Sequence, residues 1–307
     1  MALLVNPFTR LDEWQAALRN ELPKEELRWW PEVGNPADIE YVIAWRLPRA
    51  TLAECTNLSA ILSLGAGVEQ WVHVDRPGVP IVRLADPAMS DEMAAYSLVW
   101  VLQHQRNFAQ AAASIESREW GRVPYVHATR YRVGILGYGT IGQRIGRAFA
   151  ELGIGVNGWT RTPRDLGEVA NYGGLDGLEA FLANSDAVIN VLPSTGDTQG
   201  LLNAERLAHF RAGSLFVNIG RGSVLASEAE LIDALDNGPL AAAVLDVTDP
   251  EPPPPESALY HHRAITLTPH IAGSTNVATA ASLIAANVRR LRSGESPYPV
   301  YEHGRGY

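Results

Sequence analysis

The chain has 307 residues, a formal net charge of −9, 46% hydrophobic residues and 19% charged residues. This composition is typical of a globular protein, and the length predicts two domains rather than one. The negative charge argues against a nucleic-acid backbone as the main partner, because no basic field is available to attract phosphates. A local basic pocket for one anionic ligand is compatible with it.

The ends of the chain and its cysteine content bear on location. Cys55 is the single cysteine, which excludes an intrachain disulfide and fits a reducing compartment. The N-terminal segment MALLVNPF has no basic region before its apolar run, so it predicts a first strand rather than a signal peptide. No uninterrupted apolar stretch of the sequence approaches the roughly 18–20 residues of a membrane span. We therefore expect a cytoplasmic protein without a membrane partner.

Short apolar runs alternate with helical patterns along the chain. The runs predict strands at 3–5, 41–45, 60–64 and 81–84, and then at 133–136, 156–159, 187–192, 215–219, 242–247 and 264–267. Amphipathic patterns predict helices at 140–152, 178–184 and 228–236, and two longer helices at 91–117 and 274–292. This alternation predicts an α/β fold of βαβ units with doubly wound parallel sheets.

The two longer helices suggest how the chain divides. We expect them to cross between two Rossmann-like domains with an active-site cleft between the domains. Residues 1–90 and 275–307 are predicted to form a flavodoxin-like substrate-binding domain, to which the C-terminal tail returns. Residues 91–274 are predicted to form the other Rossmann-like domain. The segment DPEPPPPE at 249–256 is expected to be stiff and extended, because each proline fixes φ and restricts the residue before it.

A glycine-rich turn separates the predicted strand at 133–136 from the helix that follows. Its G-x-G-x-x-G spacing uses Gly137 for a tight turn, Gly139 for close approach of a pyrophosphate, and Gly142 for helix–strand packing. The free N–H groups at the start of the helix then face the phosphates. Glycine-rich turns alone are weak signals, but the strand before and the helix after favour dinucleotide binding. Further contacts are expected from Tyr138, Thr140 and Ile141.

The next predicted strand ends in a basic segment, TRTPR at 160–164. An NAD site normally carries Asp or Glu near this point for the ribose 2′-hydroxyl, and here none precedes Asp165. Arg161 and Arg164 instead suit a 2′-phosphate, because guanidinium offers forked donors and a permanent charge. The alternative is a pair of surface arginines. We predict NADPH in preference to NADH, with Thr162 as a further contact.

Three side chains that could take part in catalysis, those of Arg221, Glu251 and His270, follow later predicted strands. Ligands bind at these strand ends in open α/β sheets. Reduction of a 2-oxo acid needs a clamp for the carboxylate, a polarised carbonyl and a proton donor. Arg221 suits the first two tasks. His270 suits the third, since a nearby carboxylate such as Glu251 favours the imidazolium form. Each residue taken singly has an ordinary structural explanation, but together they predict a catalytic set.

Four segments of the sequence resemble the D-isomer-specific 2-hydroxyacid dehydrogenases: GYGTIG at 137–142, NIGRGSVL at 218–225, LDVTDPEPPPPESALY at 245–260 and TPHIAG at 268–273. Within that family, LGAGVEQW at 64–71, GWTRTPR at 158–164 and the terminal Arg305-Gly306-Tyr307 are most similar to the bacterial glyoxylate/hydroxypyruvate reductases. The resemblance implies NADPH-dependent reduction of glyoxylate to glycolate and of hydroxypyruvate to glycerate. It also implies Arg221, Glu251 and His270 as the catalytic residues, and a homodimer formed through the nucleotide-binding domain.

Further site residues follow from this resemblance. Asp246 would help to hold the nicotinamide carboxamide, and backbone N–H groups of Ala66, Gly67 and Val68 would bind the substrate carboxylate. Trp45 and Met89 are expected to crowd the substrate pocket, while a contact of Trp120 with the partner subunit's site is left open. The other cofactor contacts are expected from Leu192, Pro193, Thr198, Ile219, Gly220, Arg221, His270, Ala272 and Gly273.

Two alternative functions stay open. One is a reductase of bulkier 2-oxo acids. The other is a nucleotide-sensing binding protein of the same fold. Turnover with NADPH and glyoxylate would favour the enzyme, whereas tight cofactor binding without turnover would favour the sensor.

Overall fold

The computed structural model describes residues 1–7, 9–71, 74 and 78–302. Within these ranges the helices are α1 (Leu11–Glu21), α2 (Arg49–Glu54), α3 (Pro87–Gln105), α4 (Phe108–Glu116), α5 (Thr140–Ala150), α6 (Leu178–Ala183), α7 (Ala204–Leu207), α8 (Glu228–Asp236) and α9 (Val277–Arg292). The strands are β1 (Ala2–Asn6), β2 (Glu26–Trp29), β3 (Ile39–Ala44), β4 (Ala60–Ser63), β5 (Ile81–Val82), β6 (Arg132–Leu136), β7 (Gly155–Thr160), β8 (Ala170–Gly173), β9 (Ala187–Asn190), β10 (Ser214–Asn218), β11 (Leu240–Leu245) and β12 (Ile265–Leu267).

Two compact units make up the chain. They are Met1–Met89 with Thr275–Tyr307, and Ser90–Ser274. The motif Arg305-Gly306-Tyr307, which contributed to the family resemblance, lies outside the described residues.

The first unit contains a parallel sheet whose described strands follow the order β2-β1-β3-β4-β5. Strands β1, β3 and β4 are almost wholly buried, as expected where both faces of a parallel sheet are covered. Helix α9 packs beside α1 and is capped by Asn276, whose side chain accepts hydrogen bonds from two N–H groups of the first turn. The C-terminal segment contacts this sheet, since Val300 forms an antiparallel bridge with Val82.

The second unit contains a larger parallel sheet, in which the described strands follow the order β12-β11-β10-β9-β6-β7-β8. Strand β6 pairs with β7 on one side and with β9 on the other, so the winding direction reverses at this point. Loops that leave two such neighbouring strands run to opposite faces of the sheet and open a crevice at the carboxyl ends. The predicted doubly wound α/β class is confirmed for both units.

Helix α5 shows how the sequence determines this packing. Its apolar positions Ile145, Ala148 and Phe149 are buried, while Arg147 is exposed. Full burial of an aliphatic or aromatic side chain contributes about 1.5–3 kcal/mol, which is enough to bind one face of the helix to the sheet. The start of α5 is thereby held directly after the glycine-rich turn.

The predictions for the long helices are wrong in two details. The helix predicted at 91–117 is two helices, α3 and α4, because Asn107 adopts φ of 56° between them. Asparagine tolerates this left-handed conformation, which interrupts the helical hydrogen bonding. The second predicted crossing helix begins only at Val277, so the chain passes between the units at 274–275 before α9 starts.

Two strands were not predicted from the sequence. Strand β2 (ELRW) and strand β8 (ANYG) lie at the edges of their sheets and contain no fully buried residue. An edge strand needs no continuous apolar run, because only part of its surface is covered. The hydrophobic pattern on which the other strands were predicted is therefore missing from both.

Candidate active site

The glycine-rich loop joins β6 to α5, and each of its glycines meets a different restriction. Gly137 has φ of +106°, a conformation that residues with side chains rarely adopt. A Cβ on Gly142 would lie 2.3 Å from the carbonyl oxygen of Gly137, so this glycine lets the helix approach the strand. A Cβ on Gly139 would meet no described atom within 4 Å. Gly139 therefore borders open space at the start of α5, the place predicted for a pyrophosphate.

Tyr138, between the first two glycines, has a buried side chain. Its ring packs against Gly146 and Gly158, where added Cβ atoms would lie 2.7 and 2.9 Å from atoms of the tyrosine. Burial raises the pKa of its hydroxyl above the ordinary value. The side chain of Tyr138 thus anchors the loop, and its contact with a cofactor remains a prediction.

The two arginines predicted to bind a 2′-phosphate follow β7 and have different partners. Arg161 Nη1 lies 3.5 Å from Asp197 Oδ2 in an exposed ion pair. Arg164 donates a hydrogen bond to the carbonyl oxygen of Tyr138 in the glycine-rich loop. An exposed pair contributes only about 0–1 kcal/mol, so Asp197 does not prevent Arg161 from binding a phosphate. The carbonyl oxygen of Thr162 accepts a hydrogen bond from Thr160 at 2.9 Å, which closes the turn between the strand and the arginines.

Two buried asparagines organise the loop that carries Arg221. Asn190 and Asn218 end β9 and β10, and Asn190 Nδ2 donates to Asn218 Oδ1 at 2.8 Å. Asn218 Nδ2 donates in turn to the carbonyl oxygen of Arg221 at 3.1 Å. Gly220 is packed so tightly that a Cβ would lie 2.7 Å from the carbonyl oxygen of Leu192. These contacts restrict the backbone conformation at the half-buried Arg221.

The other predicted cofactor contacts lie in loops at the carboxyl edge of the second sheet. Thr198 Oγ1 donates to the carbonyl oxygen of Pro193 at 2.6 Å and accepts from the N–H of Thr195 at 2.9 Å. Thr198 thereby closes the loop after β9. The members of this group are Leu192, Pro193 and Thr198 after β9, Ile219 and Gly220 after β10, and Ala272 and Gly273 after β12.

His270 and Glu251 form a hydrogen-bonded pair. His270 Nδ1 lies 2.6 Å from Glu251 Oε1, and the side chains are 45% and 41% exposed. A carboxylate can only accept, so Nδ1 carries the hydrogen and Nε2 is left for a substrate. His270 also has φ of 55°. Backbone strain of this kind, about 1–3 kcal/mol, is concentrated at functional sites.

Asp246 lies behind this pair and is 2% exposed. Its carboxylate accepts hydrogen bonds from the N–H groups of Ile271 and Ala272, both at 2.8 Å, and from Thr268 Oγ1 at 2.5 Å. Its carbonyl oxygen accepts from the N–H of His270 at 3.0 Å. Asp246 therefore organises the turn that carries His270.

A pocket of about 620 Å³ opens beside these residues in the second unit. Its polar lining residues include Asp246, Glu251 and His270. Its volume lies within the range of about 300–1,000 Å³ that is usual for small-molecule sites. Its apolar lining residues include Leu259, Tyr260, Ile265 and Leu267.

Two of the substrate-binding predictions in the first unit, Trp45 and the loop 66–68, lie at the carboxyl ends of its strands, whereas Met89 lies in the first turn of α3. Trp45 follows β3 and covers Gly65, where a Cβ would lie 2.0 Å from the indole ring. Residues 66–68 follow β4 in the same loop as Gly65. Met89 is buried and is the last residue of this unit. Their contacts with substrate remain predictions.

Comparison with known proteins identifies the family. The family model described as D-isomer specific 2-hydroxyacid dehydrogenase, NAD binding domain, matches residues 98–272, which is more than half of the chain. The chain belongs to the D-isomer specific 2-hydroxyacid dehydrogenase family. It is therefore an oxidoreductase, as the sequence motifs predicted.

Relatives of this dehydrogenase align over nearly their full length. Glyoxylate/hydroxypyruvate reductase A from Serratia proteamaculans is 35% identical, over 99% of both chains. A D-isomer specific 2-hydroxyacid dehydrogenase from Xanthobacter autotrophicus, solved with NADPH and MES, is 38% identical with a TM-score of 0.93, covering 100% of this chain and 99% of its own. The NADPH-dependent glyoxylate/hydroxypyruvate reductase from Sinorhizobium meliloti, solved with NADP and sulfate, is 30% identical with a TM-score of 0.92 and the same coverage.

Some residues of the site were not found from the sequence. Asn190 and Asn218 carried a signal, since both follow apolar runs and end neighbouring strands. Tyr96, whose hydroxyl contacts Thr268, lies 172 residues away from it along the chain. No sequence feature other than its charge pointed to Asp197.

Membrane-spanning helices and metal-binding clusters are both absent from the part of the chain that the structure describes. No helix there is both long and apolar enough to cross a bilayer. No group of three or more His, Cys, Asp or Glu side chains there is placed to hold a metal ion.

Proposed function

We propose that this dehydrogenase uses NADPH to reduce small 2-oxo acids, converting glyoxylate to glycolate and hydroxypyruvate to glycerate. The observation that carries the proposal is the His270–Glu251 pair, with its Nδ1–Oε1 distance of 2.6 Å. This pair lies at the carboxyl edge of a sheet whose loops also carry the glycine-rich turn and Arg221. The names of the Serratia and Sinorhizobium relatives support glyoxylate and hydroxypyruvate as substrates.

The chemistry assigned to each residue follows from its bonding. NADPH, when bound, supplies the hydride. Arg221 binds the substrate carboxylate and polarises the keto oxygen, because guanidinium can do both with its forked donors. His270 Nε2 gives a proton to that oxygen as the hydroxyl forms. Glu251 accepts from Nδ1, which orients the ring and stabilises the imidazolium.

The proposed binding of NADPH rests on the loops that follow β6 and β7. Gly139 leaves the space that a pyrophosphate needs, and Arg161 and Arg164 offer guanidinium groups to the 2′-phosphate. The structures of the Xanthobacter and Sinorhizobium relatives contain NADPH and NADP, which supports this choice. The second unit would then be the NADP-binding domain and the first unit the substrate-binding domain, with N–H groups of loop 66–68 as carboxylate ligands.

A panel of 2-oxo acids tests the proposal. Glyoxylate, hydroxypyruvate, a branched 2-oxo acid and phenylpyruvate are each reduced with NADPH and with NADH, and the nicotinamide absorbance is followed. We expect the highest kcat/KM for the two small acids with NADPH. Tight binding of NADPH without turnover of any 2-oxo acid would support a nucleotide-sensing protein instead.

A second candidate is supported by the pocket itself. Leu259, Tyr260, Ile265 and Leu267 line the same pocket as His270, and apolar lining suits a larger side chain on the 2-oxo acid. The same panel separates the two candidates. A preference for phenylpyruvate would favour the reductase of bulkier acids and count against the predicted crowding of the substrate by Trp45 and Met89.

We also propose that the protein is a homodimer formed through the second unit. Large apolar side chains are exposed on this unit, and exposed apolar surface marks protein–protein contacts where such side chains cluster. Sedimentation of the unaltered protein and of Trp120→Ala tests this, with a dimer expected for the former. A monomer at assay concentration would reject it. The exposed residues are Val99, Phe108, Ile115, Trp120 and Tyr125, of which Trp120 is 95% exposed.

A further inference from the structure

A chain of hydrogen bonds runs from α3 to the turn that carries His270. Tyr96 Oη lies 2.6 Å from Thr268 Oγ1, and Thr268 Oγ1 donates to Asp246 Oδ1 at 2.5 Å. A threonine hydroxyl has one hydrogen, and here it goes to the carboxylate. The tyrosine hydroxyl must therefore donate to Thr268. The donors are ordered from Tyr96 through Thr268 to Asp246.

Asp246 transmits this constraint to the catalytic turn. The same carboxylate holds the N–H groups of Ile271 and Ala272, and the carbonyl oxygen of Asp246 accepts from the N–H of His270. The turn depends on these bonds, because φ of 55° at His270 is unfavourable for a residue with a Cβ. A shift of the Asp246 carboxylate would therefore displace the imidazole from its partner Glu251.

Tyr96 is suited to be the first donor. Its ring is half-buried and meets Trp100 edge-on, with ring centroids 6.0 Å apart. Burial raises the pKa of its hydroxyl, and the charge of Asp246 acts in the same direction. The hydroxyl therefore keeps its hydrogen at neutral pH. A fixed donor at this point orients the Thr268 hydroxyl toward Asp246.

We propose that Tyr96 and Thr268 are positioning residues for the proton donor His270. Neither contacts the reacting atoms. They act by holding Asp246, and through it the backbone at 270–272, in the conformation that presents the imidazole. This inference rests on the proposed role of His270 in reduction.

Four variants test the chain of donors with NADPH and glyoxylate. Thr268→Val keeps the shape but removes the donor to Asp246, and should lower kcat about ten- to hundredfold, as expected for a misplaced catalytic group. Thr268→Ser keeps the hydroxyl that donates to Asp246. Because this hydrogen bond is retained, kcat should return to within about threefold of the unaltered enzyme. Tyr96→Phe should lower kcat about three- to tenfold. The double variant Tyr96→Phe/Thr268→Val should be no slower than Thr268→Val alone, because the acceptor for Tyr96 is already gone.

Two further readouts separate positioning from a general loss of structure. The Kd of NADPH and the unfolding temperature should stay near those of the unaltered protein in Tyr96→Phe and Thr268→Ser. Tyr172→Phe is the matched control: it removes a tyrosine hydroxyl in the same unit, on β8, where its ring packs against Phe181. This control should leave kcat unchanged.

The outcomes are distinguishable from failure of the proposed function. If His270→Asn is nearly inactive while Thr268→Val keeps kcat within twofold, the positioning chain is rejected and the proton donor is retained. Additive losses in the double variant would also overturn the chain, because independent residues contribute independently. If His270→Asn itself keeps full activity, the proposed function fails. Loss of kcat in Thr268→Val, rescue by Thr268→Ser and no further loss in the double variant would establish the chain.

Discussion

Alanine at Gly139 or Gly142 tests the phosphate-binding loop at two positions of opposite kind. At Gly142 an added Cβ would lie 2.3 Å from the backbone oxygen of Gly137, and 3.0 Å from Ile135 Cγ2. At Gly139 it would meet no described atom within 4 Å, and the backbone φ of −84° is accessible to alanine. Gly142→Ala should therefore damage the fold, whereas Gly139→Ala should damage only the site.

The expected sizes follow from these contacts. A methyl group forced against backbone costs about 1–3 kcal/mol, which for a unit of this size lowers the unfolding midpoint by roughly 2–12 °C. Alanine at Gly139 faces water in the free protein, so the midpoint should move by less than about 2 °C. The methyl group occupies the space proposed for the pyrophosphate, however. Loss of one charge-assisted hydrogen bond there raises the Kd of NADPH about ten- to hundredfold.

Two assays on the same protein samples separate the effects. Thermal unfolding without cofactor should rank Gly142→Ala well below both Gly139→Ala and the unaltered protein. Titration with NADPH should give the largest increase in Kd for Gly139→Ala. Added NADPH should also raise the unfolding midpoint of Gly139→Ala less than that of Gly142→Ala or of the unaltered protein. Unaltered NADPH affinity in Gly139→Ala would refute the position of the pyrophosphate. Equal loss of stability in the two variants would refute the packing argument.

Other residues give independent tests. Replacing Arg161 and Arg164 together with Ala should raise the Kd of NADPH by about ten- to hundredfold for each lost contact and that of NADH much less; equal changes for both cofactors would exclude a 2′-phosphate site here. Trp45→Ala should raise kcat/KM for phenylpyruvate relative to glyoxylate by about tenfold, and an unchanged ratio would reject the predicted contact of Trp45 with the substrate. Burial lowers the pKa of His104, whose Nε2 lies 3.1 Å from the carbonyl oxygen of Gly213. The unfolded chain then takes up the proton at higher pH than the folded protein, so the free energy of unfolding decreases as pH falls below about 6.5. In denaturant melts, His104→Gln should therefore lose less free energy of unfolding than the unaltered protein between about pH 7.5 and 5.5. Parallel losses in the two proteins would contradict this role for His104.

The central strands of both sheets could be predicted because they are covered on both faces. Buried parallel strands need continuous apolar runs, and those of β3, β6 and β10 are visible in the sequence. The edge strands β2 and β8 are only partly covered, so no such run marks them. The break between α3 and α4 depends on the left-handed conformation of Asn107, which composition does not show.

The functional groups could be predicted where topology alone brings them together. His270 and Arg221 follow parallel strands of one sheet, so their carboxyl ends must share an edge, and Glu251 is near His270 as expected. The hydrogen bonds of Asp246 could not be predicted, since they depend on the turn at 270–272. The contact of Tyr96 with Thr268 joins a helix to a strand end far along the chain, and no spacing rule covers it.

The central claim is that His270 donates the proton in reduction of a 2-oxo acid by NADPH. The most direct measurement compares kcat for glyoxylate in the unaltered enzyme and in His270→Asn, with the Kd of NADPH measured on both. The account predicts a loss of kcat of about 10²–10⁴-fold, as for removal of a general acid, because the phosphate-binding loop and the arginines are untouched and cofactor binding should change less than about threefold. A kcat within about tenfold of the unaltered enzyme, with NADPH still bound, would contradict the assignment of His270 as the proton donor.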